Sequence, residues 1–172
     1  MLYAAIVIAE VLFWTFLVGG LFVRYGLKRR RAGGVLIAGA GAVTGALLLA
    51  AAADLAGGGE AGMSHVLAAV AVAYAVVYGR RHLAKADAFV RRRVGEPVPD
   101  APPPKPKAER ERDGWLRHAR MWALGIALLG AGVLLADDGT PLLAAAGVWT
   151  AVLAIDFVIS FSYSVGRPSA AR

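Results

Sequence analysis

Residues 1–31 read MLYAAIVIAEVLFWTFLVGGLFVRYGLKRRR, an apolar run broken once by Glu10 that stops at Arg24 and passes into Lys28, Arg29, Arg30 and Arg31. A hydrocarbon core about 30 Å thick takes roughly 20 apolar residues as helix. Leu2 to about Val23 meets that requirement, so the stretch reads as a membrane span with positive charge gathered at one end. Four more apolar stretches follow, at about Gly33 to Ala53, Met63 to Gly79, Ala119 to Ala136 and Leu142 to Val165.

The charges are sorted with respect to these spans. All 19 Lys and Arg lie in three blocks: Arg24 to Arg31, Arg80 to Arg120, and the tail with Arg167 and Arg172. The acids outside the long central block are Glu10, Asp54, Glu60, Asp137, Asp138 and Asp156, and none of them falls in a basic block. Basic residues accumulate on the cytoplasmic side of membrane proteins. The pattern therefore predicts an all-α integral membrane protein with five transmembrane helices, N-terminus outside and C-terminus cytoplasmic. Residues 1–79 would hold helices 1–3, 80–118 a cytoplasmic basic, Pro-rich hairpin, 119–165 helices 4 and 5, and 166–172 a cytoplasmic tail.

Composition narrows the function classes. A net charge of +7 could mark a nucleic-acid binder, but its confinement to one membrane face is explained by orientation, and no nucleic-acid partner is expected. With no cysteine, disulfides, thiol catalysis and Cys-ligated clusters are excluded. The first stretch lacks a basic leader and carries Glu10 in its middle, so it does not read as a cleavable signal. The bias toward Ala, Gly, Val and Arg suits a GC-rich bacterial genome, which makes the plasma membrane of a bacterium the expected location.

Within the central block, Leu83, Ala86, Phe89, Val90 and Val94 recur near helical spacing between basic residues. This predicts that the third span continues as a helix along or beneath the inner leaflet. Val98 to Pro106 contains five prolines, which exclude helix and predict an extended linker. A second short helix from Lys107 is expected to lead into span four, with Trp115 and Trp122 as interfacial anchors. Such a segment is too short and too broken by prolines for an enzymatic domain of its own.

Helices in lipid associate by close packing and polar contacts. Small residues recur every fourth position at Gly34, Ala38, Ala42, Ala46 and Ala50, at Ala123, Ala127 and Ala131, and at Ala71, Ala75 and Gly79. Gly41 and Gly45 add a GxxxG step. These faces are expected to form the centre of the bundle, unless the spacing only reflects the abundance of alanine.

Two carboxylates need an explanation. Glu10 lies near the midpoint of span one and Asp156 slightly toward the cytoplasmic half of span five, where an acidic group costs about 2.5 to 3.5 kcal/mol on insertion scales. Neither span contains a basic residue at that depth. Each is expected to be protonated, hydrogen-bonded between helices, or turned toward water or a cation. Trp14 shares the helix face of Glu10 and could donate its indole N–H. Asp156, Ser160 and Tyr163 could line a crevice facing the cytoplasm, and Tyr74 on span three could partner a carboxylate. The functional reading makes these groups part of a transport path; the alternative is that they fix helix register.

On the outer face, Asp54, Glu60, His65, Asp137 and Asp138 include competent metal-ligand types, but their spacing matches no ligand motif and loop polarity explains them as well. Asp54, His65, Asp137 and Asp138 are the candidates for a metal site; no cofactor is expected. Arg29, Arg30 and Arg31, with Arg91, Arg92 and Arg93, would face anionic lipids of the inner leaflet. There is no nucleotide loop, zinc-protease motif or nucleophile elbow. The sequence thus points to a small accessory or structural subunit that packs on a membrane partner or on a second copy. The alternative is a proton- or cation-coupled carrier or channel using Glu10 and Asp156.

Overall fold

The computed structural model describes residues 2–98 and 103–165, with backbone alone for 2, 3 and 163–165. Among these residues there are five long helices and no strand: α1 (Leu2–Tyr25), α2 (Arg30–Ala56), α3 (Met63–Arg93), α4 (Lys107–Leu135) and α5 (Thr140–Val165). All five are long and apolar enough to cross a bilayer. Successive helices run in opposite senses, so the α1–α2 and α3–α4 connections share the basic end of the bundle. The α2–α3 and α4–α5 turns share the other end.

Helix stops follow from local chemistry. At the end of α2, Gly58 takes φ +82° and Gly59 donates its N–H to the Asp54 carbonyl at 2.8 Å. At the end of α3, Gly95 takes φ +74° and Glu96 donates to the Arg91 carbonyl at 2.9 Å. Both are Schellman closures, which place a left-handed residue just past the last turn, and glycine enters that conformation without a Cβ clash.

The third span runs on as helix into the basic segment, and the helix that starts at Lys107 is continuous with span four. α3 has 31 residues and α4 has 29, or about 46 and 43 Å at 1.5 Å per residue, against a hydrocarbon core of about 30 Å. Nothing between Gly79 and Arg93, or between Lys107 and Ala119, breaks the hydrogen-bond ladder: no proline and no left-handed residue lies there. The basic extension of α3 is tied to the α1–α2 end. Asp87 accepts the Tyr25 hydroxyl and lies 3.4 Å from Arg24 Nε and 3.0 Å from Arg91 Nε. Arg30 reaches Glu96 at 3.6 Å. At the start of α4, Lys105 bridges Glu109 at 2.8 Å and Asp113 at 2.7 Å. Its ammonium is held above the usual lysine range, first by the Asp113 hydrogen bond and then by Glu109.

Glycine does set the closest helix contacts, but not on the faces the small-residue spacing predicts. A Cβ at Gly33 would lie 2.6 Å from the Gly20 carbonyl oxygen and 2.5 Å from Arg24 Cβ, so α1 and α2 meet with backbones nearly touching. α4 and α5 meet where Gly125 lies under the Trp149 ring, 2.2 Å from where a Cβ would stand. By contrast Ala38, Ala42, Ala46 and Ala50 on α2, and Ala123, Ala127 and Ala131 on α4, are exposed. On α3 the buried alanines are Ala68, Ala69 and Ala73, whereas Ala71 is exposed and Ala75 only half-buried. Fourfold spacing of small residues exists on several faces of these alanine-rich helices, and large partners decide which face is used: Phe16 over Gly39, Trp149 over Gly125, Leu142 over Gly132.

Trp115 and Trp122 fasten α4 to α5. The Trp115 ring packs edge-on to Phe157 and Phe161 at 5.2 and 5.5 Å, and Trp122 Nε1 donates to Thr150 Oγ1 at 3.0 Å.

Candidate functional site

The most chemically dense part of the molecule is a cleft of 410 Å³ between α3 and α4, where the helices reach the basic end. One face of α3 supplies Tyr74, Tyr78, Arg81, His82 and Lys85. α4 supplies Arg117, His118 and Met121. Tyr74, Tyr78 and His82 are four residues apart in turn and therefore stack along one helix face. The tyrosine rings stand 5.1 Å apart, and His82 lies 5.5 Å from Tyr74. The Tyr74 hydroxyl and His82 Nε2 share a hydrogen bond of 2.8 Å. The Tyr78 hydroxyl is buried beside the Arg117 guanidinium.

Asp156 reaches the edge of this cleft from α5. Its Oδ2 lies 2.7 Å from His118 Nδ1. Of the three states expected for Asp156, the contact is the one between helices: the partner comes from α4, from a histidine assigned by hydropathy to the polar hairpin. Ser160, one turn on, is buried against the bundle rather than lining an open crevice. The Tyr163 side chain lies outside the described residues, as do Arg167 and Arg172 of the tail. Tyr74 partners a histidine, not a carboxylate.

Glu10 is exposed on α1, and Trp14 Nε1 donates to its Oε1 at 2.9 Å. α1 and α5 make no contact among the described residues, so Glu10 and Asp156 occupy opposite flanks of the molecule.

At the end away from the basic blocks, the acidic and histidine residues divide into separate features. His65 is buried at the start of α3; its Nδ1 accepts the Gly62 N–H at 3.3 Å. Nε2 is then the protonated nitrogen and donates to Asp54 Oδ2 at 3.2 Å. This bond supplies the compensation that an anion needs at the C-terminal end of α2. Asp138 instead accepts the Thr140 N–H at 2.9 Å where α5 begins. Among the described residues no three His, Asp or Glu side chains converge as a metal ion would require. A smaller cavity of 180 Å³ lies beside His65, walled by Leu48, Leu55, Leu129 and Leu142. Its lining is almost wholly apolar, and the imidazole at its edge is already bonded.

Of the arginines expected to face anionic lipids, Arg29, Arg30 and Arg31 are exposed, as are Arg92 and Arg93, while Arg91 is engaged by Asp87 and Tyr25. The residues missed by sequence reasoning are His82 and His118, with Arg81, Lys85 and Arg117. The Tyr74, Tyr78, His82 spacing was a legible sign of one helix face. The cations were hidden because orientation in the membrane already accounted for every basic residue.

No family model matches the chain, and no solved structure matches it. It is 31% identical over 167 residues to a protein of Bacillus subtilis (strain 168) described as uncharacterized membrane protein YmcC, and the match covers 93% of this chain and 89% of that one. With five apolar helices of membrane-crossing length and this degree of identity, the chain is a multi-pass membrane protein and belongs to the same family as YmcC.

Proposed function

We propose that this chain is a small multi-pass protein of a bacterial plasma membrane that serves as an accessory or structural subunit, with α1 turned toward a larger membrane partner. The exposure of Glu10 carries the reading. The carboxylate stands near the middle of α1 among exposed Val7, Val11 and Trp14, the last 53% exposed. Facing lipid, an acidic group there costs about 2.5 to 3.5 kcal/mol. The Trp14 N–H satisfies one oxygen, and a donor from a partner helix would satisfy the other. The exposed small residues of α2, among them Gly41 and Gly45 with open space around them, allow a second helix to approach closely. In this reading the basic end is cytoplasmic by the positive-inside rule.

Native mass spectrometry of the protein extracted gently from its own membrane tests this. The expected result is a larger partner at fixed stoichiometry that Glu10→Leu releases. A lone chain or a homodimer in the same extract overturns it.

A proton-coupled carrier is the second reading, and the Asp156–His118 pair favours it, because a carboxylate and an imidazole in contact can pass a proton between them. In proteoliposomes such a carrier would lose flux on Asp156→Asn while keeping its fold. Unchanged flux in that variant would remove Asp156 from the path.

A further inference from the structure

We infer that the cleft between α3 and α4 is a binding site for the phosphate group of an anionic amphiphile, held by Arg81, Lys85 and Arg117. The inference is independent of the accessory-subunit reading, since it concerns a site complete within one chain.

Charge bookkeeping at the basic end is the first argument. Asp87 is taken by Arg24, Arg91 and Tyr25; Glu96 by Arg30; Glu109 and Asp113 by Lys105; Asp156 by His118. No carboxylate lies within ion-pair distance of Arg81, Lys85 or Arg117 among the described residues: Asp113, whose charge is felt by Arg117, is held by Lys105, and Asp156 at the cleft edge is held by His118. Three cations thus line one cleft whose neighbouring acids are engaged elsewhere, and two imidazoles stand beside them. Like charges that outnumber their acids are stabilised by an anion that enters between them. Phosphate suits the set, because the guanidinium fork matches its oxygens bidentately and an ammonium adds a point charge.

The second argument is the shape of the lining. From Lys85 to Tyr74 the cleft follows twelve residues of α3, about 16 Å of helix, and its end away from the cations is formed by Tyr74 and Met121 rather than charge. A cationic end beside an aromatic and thioether end is complementary to a molecule with a phosphate head and an apolar tail. The Tyr78 hydroxyl is buried in the same wall beside the Arg117 guanidinium and offers a donor there. Arg81 and Lys85 are exposed, as are the arginines of the α1–α2 turn; what sets them apart is the cleft wall they share with Arg117.

The test is calorimetric titration of the full chain in maltoside micelles with dioctanoyl phosphatidic acid, dioctanoyl phosphatidylcholine and inorganic phosphate. Saturable binding of phosphatidic acid at one per chain is expected, with phosphatidylcholine much weaker. Arg81→Gln with Arg117→Gln should weaken that binding roughly tenfold or more, the loss of two charge-assisted contacts. Arg29→Gln with Arg30→Gln removes the same charge outside the cleft and should change it less than about twofold. If the Arg81 and Arg117 variant does not fold, the exposed Lys85→Gln replaces it, with a severalfold loss expected. Competition by inorganic phosphate would identify the phosphate alone as the ligand; its failure to compete would identify a lipid, and either supports the site. Absence of saturable binding, equal loss in the Arg29 and Arg30 variant, or unchanged binding in the cleft variants overturns it.

Discussion

His118 Nδ1 lies 2.7 Å from Asp156 Oδ2, so a histidine of α4 and a carboxylate of α5 close the basic end of the bundle together. The bond holds the imidazole by one nitrogen and presents its ring toward Tyr78, 6.3 Å away. Both side chains are partly exposed, so their coupling should be modest, on the order of 1 kcal/mol. A double-mutant cycle on His118→Ala and Asp156→Ala, read as thermal unfolding in detergent, should show the double variant losing less than the sum of the singles. Strict additivity would mean that the contact contributes nothing to stability.

Adjacent glycines in α2 make a sharper test of packing. Gly33→Ala pushes a methyl into the backbone of α1, whereas Gly34 has nothing within 4 Å of its would-be Cβ. Overpacking of this kind costs about 1 to 3 kcal/mol. Thermal melts should therefore show a clear loss for Gly33→Ala, and no loss or a slight gain for Gly34→Ala, where alanine favours helix. Equal melting temperatures for the two variants would refute the α1–α2 crossing described above.

Asp87 joins α3 to α1 through three partners, and its removal should be visible at the basic end before it is visible elsewhere. Asp87→Asn leaves Arg24 and Arg91 without their carboxylate, at a cost of about 1 to 3 kcal/mol if neither finds another. Limited trypsin digestion should then cut after Arg91, Arg92 or Arg93 severalfold faster than in the wild type. An unaltered cleavage rate would show that the α3 extension is held by its own helix alone.

The turn before α5 carries a pH dependence of definite sign. Thr140, through its side chain and then its backbone N–H, holds the Asp138 carboxyl below the usual carboxylate range. A depressed folded-state value stabilises the fold above the unfolded pKa, and the contribution disappears as pH falls through the folded one. Asp138→Ala should accordingly lower the melting temperature at neutral pH and converge with the wild type in acid. A difference that persists undiminished in acid would place the effect in something other than the carboxylate.

The membrane class and the number of spans were legible because they depend only on run lengths and on where charge is excluded, and both are local properties of the chain. The Glu10–Trp14 bond was legible for the same reason, being an i,i+4 contact within one helix. Helix neighbours were not. His118 could not be matched to Asp156, nor Asp87 to Tyr25, because those contacts depend on the rotation of each helix about its axis. In an alanine-rich span, several faces serve equally well until a Trp149 or a Phe16 selects one. The cleft was missed for a further reason: a positive-inside reading accounts for Arg81, Lys85 and Arg117 as orientation signals without saying where their side chains converge.

α3 is the one helix that touches all four others among the described residues, while α1 and α5 never meet. Order of synthesis gives this a consequence. The α1–α2 hairpin leaves the ribosome first and can close on itself at Gly20 and Gly33, yet the surfaces it will offer α3, such as Ala51 and Tyr25, have only lipid and water to face until residue 93 has emerged. The α4–α5 hairpin then docks onto a helix that is already anchored. On that order α3 serves as the template, and a lesion in α3 should leave two well-formed hairpins joined only through the α2–α4 contact.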